Sequence, residues 1–148
     1  MSSPVSDSNR EHTMPPRILI VDDERIVATS LQAQLQRMGY GVAGIASSGE
    51  EAIRKTEETR PHLVLMDIVL HGAMDGIETA KQIRSQWNIP VIYATAYADP
   101  ETLHRARSTN PAGYLIKPFD QEELSRAIAS ALHEPDGSDS VQDGSRAI

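Results

Sequence analysis

The sequence predicts an α/β fold in which helices cover both faces of a five-stranded parallel sheet. Five short apolar runs alternate along the chain with five segments whose apolar residues have helical spacing, which is the pattern of successive βα units. The apolar runs are continuous, as expected for strands that are buried on both faces. A chain of 148 residues is long enough for one domain with its own core.

Each predicted strand is an apolar run between polar or turn-forming residues. The five strands are expected at residues 18–21, 42–46, 63–66, 91–94 and 114–116. Pro90 precedes the fourth strand and Gly113 precedes the fifth. Proline and glycine commonly mark the boundaries of such elements, so they support these two starting points.

The first three helices are predicted from capping residues and from apolar spacing. Val27, Leu31 and Leu35 are four residues apart, so they form one stripe on the first helix. Ser48 and Glu51 have the spacing of a capping box, which predicts the start of the second helix. The third helix follows a polar loop and carries a further apolar stripe, formed by Ile77, Ala80 and Ile83.

The last two helices are predicted to start at capping residues. Asp99 is a suitable N-cap, and Pro100 after it suits the first helical position. Asp120 and Glu123 have the capping-box spacing again. The apolar stripe of the fifth helix is formed by Leu124, Ile128 and Leu132.

Composition narrows the class of protein. Residues 1–16 and the acidic segment 134–148 are polar and rich in turn-forming residues, so we expect disordered tails around a domain at 17–133. The net charge of −7 argues against direct DNA binding, and the lack of cysteine excludes thiolate metal sites.

No apolar stretch approaches the roughly 20 residues of a membrane span. There is also no apolar signal core, so we expect a cytoplasmic protein without membrane contact.

Four of the predicted strands are followed by carboxylate, hydroxyl or ammonium side chains, namely Asp22 and Asp23, Asp67, Thr95 and Lys117. Because the carboxyl ends of parallel strands lie at one edge of a sheet, these side chains are expected to share a cleft. Three carboxylates there repel one another unless a cation relieves them, and Mg²⁺ prefers such oxygen ligands. One carboxylate can also act as a nucleophile toward phosphorus. The hydroxyl and the ammonium can then pair with phosphoryl oxygens.

Five motifs occur in order along the chain: ILIVDDE at 18–24, LMD at 65–67, MDGIE at 74–78, ATA at 94–96 and GYLIKPF at 113–119. With these motifs the chain resembles the receiver domains of response regulators, the CheY-like family, over about residues 17–133. The resemblance implies a flavodoxin-like (βα)5 fold with a doubly wound sheet in the order 2-1-3-4-5. It also implies a phosphoacceptor role in a two-component or phosphorelay signalling system.

The resemblance implies which residues bind the phosphoryl group and the metal ion. Asp67 would accept a phosphoryl group from the phosphohistidine of a histidine kinase. Mg²⁺, or Mn²⁺ in its place, would be bound by Asp23 directly and by Asp22 mainly through water. Asp67 and the backbone carbonyl of Val69 would be its further ligands. Lys117 would bind a phosphoryl oxygen.

The resemblance also implies a switch and a set of partners. Thr95 and Tyr114 would be the switch pair. The Lys117–Pro118 peptide would be cis, a state that only about 5–6% of X-Pro bonds adopt. The cis peptide would aim the lysine at the cleft. The partners would be a sensor histidine kinase or a histidine phosphotransfer protein. A downstream protein would bind the fourth helix, the fifth strand and the fifth helix. The protein would not be an enzyme beyond its own phosphorylation and dephosphorylation.

The loop after Asp67 departs from the usual pattern of the family. Residues 68–73 form a stretch that is one residue longer than in most receivers and lacks their proline. This departure leaves the shape of the loop beside Asp67 open. His71 lies in this loop and could approach the site, although we expect it to be merely exposed to solvent.

Particular residues argue against two other functions for a site of this kind. A haloacid-dehalogenase-like phosphatase needs a second aspartate two residues after the nucleophile, where Val69 stands. A flavodoxin needs a phosphate-binding loop after the first strand, where Asp22 and Asp23 would repel phosphate. The acidic pair could also serve only as a helix cap. A degenerate receiver that acts as an interaction module and a phosphorelay intermediate from a hybrid kinase also stay open.

Overall fold

The structure is a computed structural model and describes residues 14–133. Its strands are β1 (Arg17–Val21), β2 (Gly41–Ala46), β3 (Leu63–Met66), β4 (Val91–Thr95) and β5 (Gly113–Ile116). Its helices are α1 (Arg25–Arg37), α2 (Gly49–Thr59), α3 (Gly76–Trp87), α4 (Pro100–Arg107) and α5 (Gln121–Leu132). The parallel sheet has the order β2-β1-β3-β4-β5. The predicted flavodoxin-like fold is therefore confirmed. Residues 1–13 of the predicted tail at 1–16, and the whole predicted tail at 134–148, lie outside the described residues.

The continuous apolar runs have a simple structural reason. Successive residues of a strand face opposite sides of a sheet, and both sides of this sheet are covered. In β1, Leu19 packs toward α2 and α3, whereas Ile18 and Ile20 pack toward α1 and α5. All three side chains are buried completely. Alternating polar residues would place unsatisfied groups in one of the two cores.

The helix starts follow the predicted caps, with one difference. Asp99 accepts a hydrogen bond from the backbone N–H of Thr102, and Asp120 forms a complete capping box. Ser48 accepts a bond from the N–H of Glu51, but the Glu51 carboxylate accepts from Ser47 instead of Ser48. The predicted capping box of α2 is therefore only half formed, because this carboxylate bonds one residue further back.

The fifth helix differs slightly from its predicted stripe. Leu124 and Ile128 are fully buried, but the third buried position is Ala131, and Leu132 is only partly buried. A spacing of four and then three residues keeps these positions on one face of a helix with 3.6 residues per turn. In the described part of the chain, no helix is long and apolar enough to cross a membrane.

Candidate functional site

The strand ends bring together three of the predicted site residues. The ammonium of Lys117, after β5, donates hydrogen bonds to Asp22 after β1 (2.7 Å) and to Asp67 after β3 (3.0 Å). Asp22 and Asp67 are nearly buried, at 3% and 8% exposure. Two carboxylates in so little water repel each other, so the shared ammonium is what balances their charge.

The electrostatics of Lys117 reflect this position. Burial by itself lowers the pKa of the Lys117 ammonium, because it disfavours the charged form. The hydrogen bonds to Asp22 and Asp67 outweigh this effect and raise the pKa above its ordinary value. Lys117 is therefore a fixed positive charge beside Asp67. The Lys117–Pro118 peptide bond is cis.

Asp22 and Asp23 do not cap α1. The N-cap of this helix is Glu24, and its side chain makes no capping hydrogen bond. Asp22 instead accepts a bond from the backbone N–H of Glu24 through Oδ1 (2.9 Å). The side chain of Asp23 is only 13% exposed, and its Oδ2 lies 2.5 Å from Nδ1 of His71. His71 is exposed, but it also reaches the site, so the expectation that it is merely exposed to solvent is wrong.

The loop after Asp67 is packed tightly against α3. The N–H of Val69 donates to Oδ1 of Asp67 (3.3 Å), and the N–H of Gly76 donates to the carbonyl of Ile68 (2.7 Å). A Cβ at Gly76 would lie 1.9 Å from the carbonyl oxygen of Asp67. Only glycine permits this close approach of the start of α3 to the peptide of Asp67.

Thr95 and Tyr114, the predicted switch pair, are linked through the backbone of a third residue. The buried Thr95 accepts a bond from the N–H of Tyr97 at Oγ1 (3.4 Å). The hydroxyl of Tyr114 donates to the carbonyl of Tyr97 (2.7 Å). Burial raises the pKa of Tyr114, and the carboxylates of Asp99 and Asp67 add to this shift. The backbone of Tyr97, in the loop after β4, thus lies between Thr95 and Tyr114.

Sequence reasoning missed two contacts around the site. One is the peptide of Tyr97, because a backbone partner leaves no signal in the residue type. The other is an ion pair between Arg105 on α4 and Asp75, the N-cap of α3, at 2.8 Å. The pair raises the pKa of Arg105, chiefly through its hydrogen bond. The only sequence signal for this ion pair is the basic run at 104–107, which does not identify the partner.

The donor set of the site suits a hard divalent cation. Asp22, Asp23 and Asp67 offer carboxylate oxygens, the ligand type that Mg²⁺ prefers. Within residues 14–133, no three His, Asp or Glu side chains are arranged as a ready-made metal site. Lys117 bonds two of these carboxylates, so a cation there would have to share them with the ammonium. By ligand type alone, the residues fit a cation that takes its remaining ligands from water and a phosphoryl group.

Comparisons with known proteins agree with this geometry. The family model described as the response regulator receiver domain matches residues 18–129. The chain is 34% identical to the transcriptional regulatory protein PdtaR of Mycobacterium tuberculosis over 132 residues, which cover 89% of this chain and 63% of PdtaR. The chain thus spans less than two thirds of the length of this relative.

Solved structures show the same relationship. The signal receiver domain of a modulated diguanylate cyclase from Desulfovibrio desulfuricans G20 superposes with a TM-score of 0.77 at 44% identity, covering 81% of this chain and 95% of that chain. A CheY-like receiver domain protein from Methanospirillum hungatei JF-1 gives a TM-score of 0.75 at 30% identity, with the same coverage of 81% and 95%. The chain belongs to the response regulator receiver domain family of two-component signalling.

Proposed function

We propose that this chain accepts a phosphoryl group on Asp67 from the phosphohistidine of a sensor histidine kinase or a histidine phosphotransfer protein. The observation that carries the proposal is the pairing of the nearly buried Asp67 with Lys117 at the carboxyl edge of the sheet. A carboxylate oxygen of Asp67 attacks phosphorus, the phosphorus–nitrogen bond breaks, and the imidazole of the donor leaves. Lys117 bonds Asp67 and would bind the phosphoryl oxygens as their charge develops.

Receiver domains in general bind Mg²⁺ for phosphorylation. In this chain, we propose that Asp22, Asp23, Asp67 and the backbone carbonyl of Val69 hold the ion, or Mn²⁺ in its place. When bound, the ion would supply positive charge for the phosphoryl oxygens. Asp23 is the most available of the three carboxylates, because Lys117 bonds the other two.

Receiver domains act with histidine kinases and downstream effectors. For this chain, we propose that a downstream protein binds the surface of α4, β5 and α5. We also propose that it has no catalytic activity beyond its own phosphorylation and dephosphorylation. The absence of direct DNA binding and the cytoplasmic location stay predictions from the sequence.

Phosphorylation itself is the first test. With acetyl phosphate and Mg²⁺, the protein is expected to gain one phosphoryl group, measured by intact mass. With EDTA in place of Mg²⁺, no gain is expected, because three carboxylates beside the incoming phosphoryl group would then lack a divalent counter-charge. No gain in Mg²⁺ from acetyl phosphate or from phosphohistidine donors would favour the degenerate receiver instead.

The switch pair gives a second prediction. We propose that phosphorylation draws the hydroxyl of Thr95 away from the N–H of Tyr97, and that the ring of Tyr114 responds through the Tyr97 carbonyl. Beryllofluoride, a mimic of the phosphoryl group, is therefore expected to shift the NMR signals of the Tyr114 ring. Tyr40, which precedes β2, is the control and should keep its signals. Unchanged Tyr114 signals would remove this residue from the switch.

A further inference from the structure

The loop between β3 and α3 is attached to the neighbouring loop between β2 and α2. His71 forms an isolated parallel bridge with Ser48. Gly72 has a φ of +107°, and a Cβ at this position would lie 3.0 Å from Oε1 of Glu50. A positive φ favours glycine, which lets the chain turn here. These features fix the backbone around His71, in the loop that is longer than in most receivers.

The side chain of His71 covers one oxygen of a proposed metal ligand. Its Nδ1 lies 2.5 Å from Oδ2 of Asp23, and the exposed fractions of the two side chains are 87% and 13%. The imidazole therefore stands between this oxygen and the solvent. Among the described residues, no donor bonds the other oxygen of Asp23, Oδ1. His71 thus contacts one oxygen of this carboxylate, and the other oxygen has no hydrogen-bond donor within residues 14–133.

We propose that His71 is a positioning residue for Asp23, and this inference rests on the proposed role of Asp23 as a metal ligand. An Nδ1–H of His71 would hold Oδ2 and so leave Oδ1 directed to the ion. Metal-binding carboxylates are commonly held in this way by a hydrogen-bond partner, and loss of such a partner costs roughly 10–100-fold in affinity. Because His71 is largely exposed, its contribution should lie at or below the lower end of that range.

The expected result is a graded change in Mg²⁺ affinity, measured by titration calorimetry on the full chain. His71→Ala should weaken Mg²⁺ binding by roughly three- to tenfold. This is less than the usual effect of such partners, because the contact is exposed. His71→Asn should restore most of the affinity, because its side-chain amide can donate to the same oxygen. His104→Ala is the matched control, since His104 is an exposed histidine on α4, and it should bind Mg²⁺ like the parent.

Two further measurements separate this inference from the proposed function. Asp23→Ala should weaken Mg²⁺ binding more than His71→Ala, and unchanged affinity in Asp23→Ala would remove the proposed metal site itself. If Asp23→Ala weakens binding while His71→Ala binds equally or more tightly, the metal site stands and the positioning role is wrong. With Mn²⁺ as the ion, spin-echo spectroscopy should show no directly bound histidine nitrogen. A nitrogen signal lost in His71→Ala would make His71 a ligand and also overturn the positioning role.

Discussion

Asp67→Asn is expected to reduce labelling by a phosphohistidine donor, or by acetyl phosphate in Mg²⁺, to background. The substitution keeps the size of the side chain but replaces the nucleophilic carboxylate with an amide. The other two carboxylates are not expected to be labelled, because we propose that Asp22 and Asp23 hold the metal ion. Incorporation of labelled phosphate, followed through time for parent and variant, measures the effect.

The control for this substitution is Asp99→Asn. Asp99 caps α4 through the N–H of Thr102, and asparagine caps a helix about as well as aspartate does. The control variant should therefore be labelled like the parent. Urea unfolding of both variants shows whether the fold is kept. Equal labelling of Asp67→Asn and the parent would assign the acceptor to another residue.

Lys117→Met is expected to lower the free energy of unfolding by about 2–4 kcal/mol in the absence of Mg²⁺, somewhat below the usual cost of removing one partner of a buried ion pair. Lys117 is 18% exposed and bonds two nearly buried carboxylates, so its loss leaves two adjacent negative charges without compensation. Methionine keeps the length and apolar packing of the side chain. Urea unfolding with and without Mg²⁺ measures the change.

Addition of Mg²⁺ should reduce the difference in free energy of unfolding between Lys117→Met and the parent. The ion supplies the positive charge that the ammonium no longer provides. Lys81→Met is the matched control, since Lys81 is an exposed lysine on α3. Its stability should stay within about 0.5 kcal/mol of the parent, as is usual for surface positions. Equal stability of Lys117→Met and the parent would show that the ammonium does not balance the carboxylates.

Much of the scaffold could be predicted from the sequence. Each strand lies within one residue of its prediction, because burial on both faces of the sheet requires continuous apolar runs. The polar residue after each run marks the end of the strand, so Asp67 and Lys117 could be assigned to one edge. The order of the strands could not be read from these runs, since connections of similar length fit several orders. It followed from the resemblance to receiver domains.

Contacts between loops could not be predicted in the same way. The approach of His71 to Asp23 depends on the path of the longer loop, and the sequence showed only that His71 was near enough to be considered. The ion pair of Arg105 with Asp75 joins residues on different elements, and the basic run around Arg105 is equally consistent with a solvated surface. Such pairs depend on how packed helices are rotated, which apolar spacing defines only coarsely.

Helix α4 is held to the rest of the domain by few contacts. Ala106 is its one fully buried side chain, and the pair between Arg105 and Asp75 is partly exposed. Burial of a methyl group contributes about 1 kcal/mol and an exposed ion pair less than that. Two charge-assisted hydrogen bonds donated by Thr95 and Lys117 to the oxygens of a phosphoryl group would contribute about 3–6 kcal/mol. We therefore expect the proposed phosphorylation to shift the position of α4 only to the extent that these bonds form in one position of the helix and not in the other.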